Sequence, residues 1–149
     1  MRAVVTRVSS ACVCVEDREI GKIETGFLIL LGVGNKDTGA DAKRLANKVC
    51  GLRVFEDERM KMNRSLTDVG GSLLVISQFT LYANTKSRRP GFTDAAKPEL
   101  AIPLYELFLN ECRAFGVPVA CGVFGADMKV ASVNDGPVTI LFDTEINHS

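Results

Sequence analysis

The segment 134–139, with the sequence N-D-G-P-V-T, constrains this chain most, because it places Gly136 and Pro137 between two apolar runs. Proline fixes its own φ angle and has no backbone N–H, and glycine accepts backbone angles that other residues avoid. The pair can therefore present two carbonyl oxygens with no side chain in front of them. On its own, such a segment is most often a hairpin turn. A backbone surface that faces a ligand is the alternative.

The spacing of apolar residues predicts the strands of the fold. Period-two alternation and short apolar runs bounded by turn residues both indicate β-strands. The predicted strands are 2–8, 11–16, 20–23, 26–34, 53–55, 72–76, 118–124, 129–133 and 138–142. Ser9 and Ser10 are expected to separate the first two strands.

Two amphipathic helices interrupt these strands. The first is predicted to begin with Asp37 or Thr38 as its N-cap. The second is predicted to begin at Pro98, to bend at Pro103 and to end near Gly116. The order of strands, helix, strands, helix and strands predicts one α+β domain covering all 149 residues. We expect antiparallel or mixed sheets that close toward a barrel, with two main helices packed outside.

Composition argues against several classes of protein. The five cysteines are odd in number and have no C-x-x-C spacing, so we expect no disulfide framework, no zinc site and a cytoplasmic location. The single histidine, His148, lies in a polar tail, where it is not expected to act as a catalytic base. The sequence contains no phosphate-binding glycine loop, so no nucleotide cofactor is expected, and no other cofactor is indicated.

Charge and hydropathy limit the partners. The longest apolar run, 27–31, is too short to span a membrane, and the alternating first eight residues do not resemble a signal peptide. The formal net charge is zero, so any contact with RNA requires a local basic patch.

Two stretches, S-Q-F-T-L at 77–81 and N-D-G-P-V-T at 134–139, resemble in this order the two signature motifs of the D-aminoacyl-tRNA deacylase family. The resemblance runs from the first residue to about Asp143. It also includes the segments 1–5, 55–66, 86–90 and 124–128. Gly91, where we expect serine, is a small departure that affects no proposed site residue.

The resemblance implies a homodimeric hydrolase that cleaves the ester bond between a D-amino acid and tRNA. In that family the Gly-Pro peptide bond, here Gly136–Pro137, is cis and enters the partner's site. Its carbonyl oxygens hold the substrate's ammonium group and leave no room for an L side chain, while glycine esters should be partly accepted. Phe79 belongs to the opposing wall. It also argues against a related branch that accepts L-alanine.

The resemblance implies roles for individual residues. The catalytic candidates are Gln78, Phe79 and Thr80. The substrate-binding candidates are Ser77, Met128, Asn134, Gly136 and Pro137. The tRNA-binding candidates are Lys86, Arg88 and Arg89, for which a solvated loop is the alternative.

The expected chemistry needs no histidine, because an aminoacyl ester is already activated and its ribose carries a vicinal hydroxyl. Positioning, backbone N–H donors and an oriented water are then sufficient. Thr80 is either a nucleophile or a positioning group, and Gln78 binds the loop or the ribose or is a satisfied amide at a strand end. The rival classes are a nucleic-acid-binding module without turnover and a thiol-dependent redox or transferase protein.

Overall fold

The computed structural model describes residues 1–146, so the expectation for His148 lies outside the described residues. The strands are β1 (Arg2–Val15), β2 (Arg18–Ile23), β3 (Gly26–Gly32), β4 (Phe55–Glu56), β5 (Met62–Arg64), β6 (Ser72–Ser77), β7 (Val119–Cys121) and β8 (Lys129–Asp143). The helices are α1 (Gly39–Cys50), α2 (Leu66–Val69) and α3 (Pro98–Ala114), and a 3-10 turn covers Phe79–Tyr82.

Strand β1 forms the centre of the sheet. Its first half pairs with β3, its second half pairs with β2, and β8 pairs along almost its whole length. The predicted break at Ser9 and Ser10 is therefore wrong. The hydrogen bonds to β8 continue through this polar pair, with one irregularity of register, and hold the two halves in one strand.

Strand β8 is likewise one strand rather than the two predicted. Thr6 pairs with Thr139 and Val8 pairs with Asn134, so residues 135–138 all stand opposite Arg7. The hairpin-turn interpretation of this segment is wrong, because the chain continues in the same direction after it. The extra residues form a bulge within the strand pair instead.

The sheet is mixed, as predicted. Strand β1 is antiparallel to its three neighbours, whereas β3, β6 and β7 are parallel to one another. The two edges of the sheet approach each other at β2 and β7, because an added Cβ on Gly21 of β2 would lie 3.2 Å from the Cys121 carbonyl oxygen of β7. The prediction of an α+β fold closing toward a barrel is confirmed.

Two apolar cores lie on the two faces of this sheet. The larger core joins sheet residues such as Phe27 and Val75 to Leu45 of α1 and Phe108 of α3. The smaller core lies inside the curve of the sheet and includes Val13. Burial of these side chains keeps both helices against the outer face.

The helix boundaries follow the predicted signals closely. Thr38 caps α1 through a capping box with Asp41, and α3 starts at Pro98 and contains Pro103. The other N-cap candidate, Asp37, is instead buried and accepts hydrogen bonds from the Gly34 N–H at 2.6 Å and from the Tyr82 hydroxyl at 3.3 Å. Within residues 1–146, no helix is long and apolar enough to cross a membrane.

Candidate active site

The first signature stretch changes from strand to turn at Gln78. Strand β6 ends at Ser77, and the Gln78 N–H still donates to the Leu31 carbonyl oxygen at 2.8 Å. The Gln78 carbonyl then accepts from the Leu81 N–H at 3.3 Å, which closes the 3-10 turn. The N–H groups of Phe79 and Thr80 begin this turn and have no carbonyl partner inside it.

The turn presents Phe79 and Thr80 at the surface. Phe79 is 57% exposed, although its ring meets Phe92 edge-on with centroids 5.1 Å apart. The Thr80 hydroxyl accepts a hydrogen bond from the Gln78 side-chain amide. In the part of the chain that the structure describes, this is the only hydrogen bond of the Thr80 side chain. An amide cannot act as the base that a nucleophilic threonine requires.

A cavity of about 280 Å³ lies beside this turn. It is lined by Leu31, Val33, Ile76, Ser77, Gln78, Phe79, Ala96, Ala101, Tyr105, Phe124, Gly125, Ala126, Met128 and Val130. Tyr105 is the one titratable residue among these described lining residues. Burial raises the pKa of Tyr105, and its hydroxyl donates to the Val75 carbonyl oxygen at 3.3 Å. The phenol therefore stays neutral near physiological pH.

Part of the cavity wall comes from the loop between β7 and β8. Met128 packs against Gly122 so closely that an added Cβ would lie 2.4 Å from the Met128 sulfur. Phe124 packs against Tyr105, with ring centroids 5.8 Å apart. These contacts hold an apolar part of the cavity wall in place.

The second signature stretch lies elsewhere. The Gly136–Pro137 peptide bond is cis, as the resemblance implied, and Gly136 has a φ angle of 128°. Neither residue lines the cavity, and Asn134 does not line it either. All three are exposed on β8. Within one chain, the structure brings Ser77, Gln78, Phe79 and Met128 together but leaves Asn134, Gly136 and Pro137 apart from them.

Arg7, which is not among the site residues predicted from the sequence, holds the Gly136 segment in place. Its Nε donates to the Asp135 carbonyl oxygen at 3.1 Å, and its Nη1 donates to the Val54 carbonyl oxygen at 2.6 Å. Arg7 is only 5% exposed. Its position was a detectable signal, because Arg7 falls in phase with the buried residues Ala3 and Val5 of β1.

The predicted tRNA-binding residues lie in an exposed loop. Backbone hydrogen bonds of 2.7 and 2.9 Å between Asn84 and Gly91 close this loop, which carries Lys86, Arg88 and Arg89. Phe92, which follows the loop, is the residue that contacts Phe79. The basic loop therefore begins and ends close to the cavity.

None of the five cysteines belongs to the described lining of the cavity, and Cys50 and Cys112 are buried between α1 and α3. Among residues 1–146, no group of three or more His, Cys, Asp or Glu side chains is placed to hold a metal ion.

The sequence matches a known protein family along most of its length. The family profile described as D-Tyr-tRNA(Tyr) deacylase matches residues 4–143. A D-aminoacyl-tRNA deacylase of Roseiflexus castenholzii is 59% identical over 98% of this chain and 94% of its own length. The corresponding protein of Lacticaseibacillus casei is 56% identical over 97% of this chain and 99% of its own length.

Two solved structures are similar to this one. The c-Myc DNA Unwinding Element Binding Protein superposes with a TM-score of 0.91 at 40% identity, covering 96% of this chain and 98% of that chain. A probable eukaryotic D-amino acid tRNA deacylase superposes with a TM-score of 0.80 over 95% of this chain and 97% of that chain. Its identity of 16% means that this second match bears on the fold only.

Proposed function

The chain belongs to the D-Tyr-tRNA(Tyr) deacylase family, and from this we propose that it hydrolyses D-aminoacyl-tRNA to a free D-amino acid and tRNA. The observation that carries the proposal is the cavity beside Phe79. Its described lining has one titratable side chain, Tyr105, which is neutral and already hydrogen-bonded. Such a site suits an activated ester better than a stable amide, because it supplies positioning without a side-chain base.

In this mechanism a water molecule adds to the ester carbonyl carbon, and the bond from that carbon to the ribose 3′ oxygen breaks. The neighbouring 2′ hydroxyl passes the proton of the water to the departing 3′ oxygen. The backbone N–H groups of Phe79 and Thr80 stabilise the negative charge on the carbonyl oxygen. Each well-placed donor of this kind lowers the barrier by about 3 kcal/mol.

The second half of the site comes from a partner subunit. Gly136 and Pro137 are exposed and lie outside the cavity of their own chain, which supports their insertion into the cavity of a second copy. Their carbonyl oxygens then bind the substrate ammonium group and block an L side chain. A D side chain points away from them, and glycine has none, so glycyl-tRNA is cleaved in part. Asn134 flanks this dipeptide and supports its position.

The other predicted site residues bind the rest of the substrate. Ser77, Gln78 and Met128 contact the terminal nucleoside in the cavity, and Lys86, Arg88 and Arg89 contact phosphates of the tRNA. We place the protein in the cytoplasm, where its five free thiols remain reduced.

A turnover experiment tests this proposal. The protein is mixed with a large molar excess of D-tyrosyl-tRNA labelled in the amino acid, and free label is counted over time. We expect many equivalents of D-tyrosine to be released per subunit. Release of no more than one equivalent would contradict enzymatic hydrolysis.

The alternative is a nucleic-acid-binding module without turnover. The 40% identical c-Myc DNA Unwinding Element Binding Protein favours keeping this alternative, since its name describes binding to DNA. The same experiment separates the two functions, because a binding module retains charged tRNA without releasing amino acid.

A further inference from the structure

A hairpin formed by β4 and β5, here called the β4–β5 hairpin (residues 55–64), packs beside the Gly136 segment. Arg7 connects the two, because its guanidinium donates to the carbonyl oxygen of Val54, the residue before the hairpin, and to the Asp135 carbonyl oxygen. The Arg7 Nη2 atom lies 3.8 Å from the Glu56 carboxylate. An added Cβ on Gly136 would lie 3.1 Å from that same nitrogen. Arg7 therefore fixes the position of the hairpin relative to the Gly136–Pro137 pair.

The acidic residues of the β4–β5 hairpin are occupied by contacts within the protein. Glu56 faces Arg7, and Glu58 forms an ion pair with Arg64. Asp57 accepts hydrogen bonds from the backbone N–H groups of Arg59 and Lys61, at 2.8 and 3.1 Å. These backbone bonds lower the pKa of Asp57, so the carboxylate stays ionised as the acceptor that shapes the turn.

The cationic side chains at the tip are left free. Arg59 and Lys61 are exposed, and their side chains make no hydrogen bond or ion pair with any residue in 1–146. Two exposed methionines alternate with them, Met60 at 73% and Met62 at 54% exposure. A tip with two unpaired cations and flanking apolar surface fits an RNA strand, whose phosphates pair with the cations and whose sugars contact the methionines.

We infer that the β4–β5 hairpin is a second RNA-binding element, in which Arg59 and Lys61 bind backbone phosphates near the aminoacylated end of the tRNA. The inference rests on the proposed function, since the hairpin lies beside the dipeptide that contacts the aminoacyl group. It adds a contact that is separate in sequence from the basic loop at 84–91. With the hairpin fixed to the dipeptide by Arg7, the phosphate contacts and the aminoacyl contact are held in one arrangement.

The test compares two double variants that each remove two exposed cations. The first is Arg59→Ala with Lys61→Ala, and the matched control is Lys22→Ala with Lys43→Ala, on β2 and α1. Binding of uncharged tRNA is measured by fluorescence anisotropy over a salt series, and turnover of D-tyrosyl-tRNA is measured at saturating substrate.

For the hairpin variant we expect affinity to fall about tenfold and the slope of log affinity against log salt to shrink by about 1.4 to 1.8, for two phosphate contacts. The maximal turnover should be unchanged and the control variant should match wild type. Wild-type affinity and slope in the hairpin variant would overturn the inference, and so would an equal loss in the control. If wild type binds tRNA through the hairpin but releases no D-tyrosine, the proposed function fails and the RNA-binding element stands.

Discussion

Arg7 and Asp135 are joined by a hydrogen bond of 3.1 Å from the arginine Nε to the aspartate main-chain carbonyl oxygen. The bond places a buried guanidinium directly beside the Gly136–Pro137 pair. The same guanidinium reaches the Val54 carbonyl oxygen on the opposite side. Arg7 is thus placed to hold the backbone of the segment that carries the dipeptide.

Replacing Arg7 by leucine should remove this support. Two carbonyl oxygens lose a charged donor, so we expect the free energy of unfolding to fall by about 2–4 kcal/mol. Turnover of D-tyrosyl-tRNA should fall by about a hundredfold, because the dipeptide is no longer held in position. Urea unfolding and steady-state kinetics measure the two effects. Arg18→Leu, at an exposed position of β2, is the control and should change neither quantity appreciably.

Gly136→Ala should reduce turnover of D-tyrosyl-tRNA by about tenfold or more. The added Cβ would lie 2.9 Å from the Val138 Cγ2 atom, at a φ angle of 128° that L residues rarely adopt. The backbone carbonyls must then shift. Gly91→Ala is the matched control, since its Cβ would meet nothing within 4 Å. Chiral selection by the backbone of Gly136 and Pro137 would be refuted if two results were found together. Gly136→Ala would turn over D-tyrosyl-tRNA as fast as wild type, and Arg88→Ala would change the ratio of D-ester to L-ester cleavage.

Thr80→Ala should keep turnover within about tenfold of wild type, because Thr80 has no base to activate it. A substrate whose 2′ hydroxyl is replaced by hydrogen should instead be almost inert. Single-turnover rates on both substrates measure this contrast. A loss of about a thousandfold in Thr80→Ala, with the deoxy substrate still cleaved, would assign the nucleophile to Thr80.

Two impaired variants should restore activity when they share a dimer. One subunit carries Gly136→Ala, and the other carries Ala126→Trp, which fills the cavity. If the dipeptide enters the partner's cavity, the first subunit keeps an open cavity and receives an intact dipeptide from the second. We expect about half of wild-type activity, from one competent site of two. A heterodimer no more active than the two homodimers, or a protein that sediments as a monomer, would show that each site is built within one chain.

Local signals were enough to predict much of the fold. The capping residues of α1 and the proline at the start of α3 act within a few residues, so their positions were predicted correctly. The apolar strand β6 was also predicted, because a short continuous run of apolar residues indicates a buried strand. The mixed, nearly closed sheet followed from the order of these elements.

Long-range pairing accounts for the errors. Ser9, Ser10 and the 134–137 segment carry turn residues, yet β1 and β8 pair with each other along their length and continue through them. The residues next to a position in sequence do not indicate a strand partner that lies more than a hundred positions away. The strand pattern marks Arg7 as a buried position, but it does not reveal the acceptors, Val54 and Asp135, which are distant in sequence.

The candidate site was predicted in separate pieces. The resemblance identified Phe79 and Gly136, and the structure places Phe79 at a cavity and Gly136 away from it. The roles of the individual site residues remain predictions, as does the assembly that unites the two signatures. Their separation within one chain is the structural reason to expect a dimer.

The most direct test of the account compares the wild-type protein on D-tyrosyl-tRNA and L-tyrosyl-tRNA, prepared on the same tRNA and assayed side by side. A carbonyl oxygen cannot move aside by changing rotamer, so the L ester should be spared while the D ester is cleaved. We expect kcat/KM to favour the D ester by at least about a thousandfold, or roughly 4 kcal/mol of discrimination. Equal cleavage of both esters, or cleavage of neither, would contradict chiral selection by the backbone of Gly136 and Pro137.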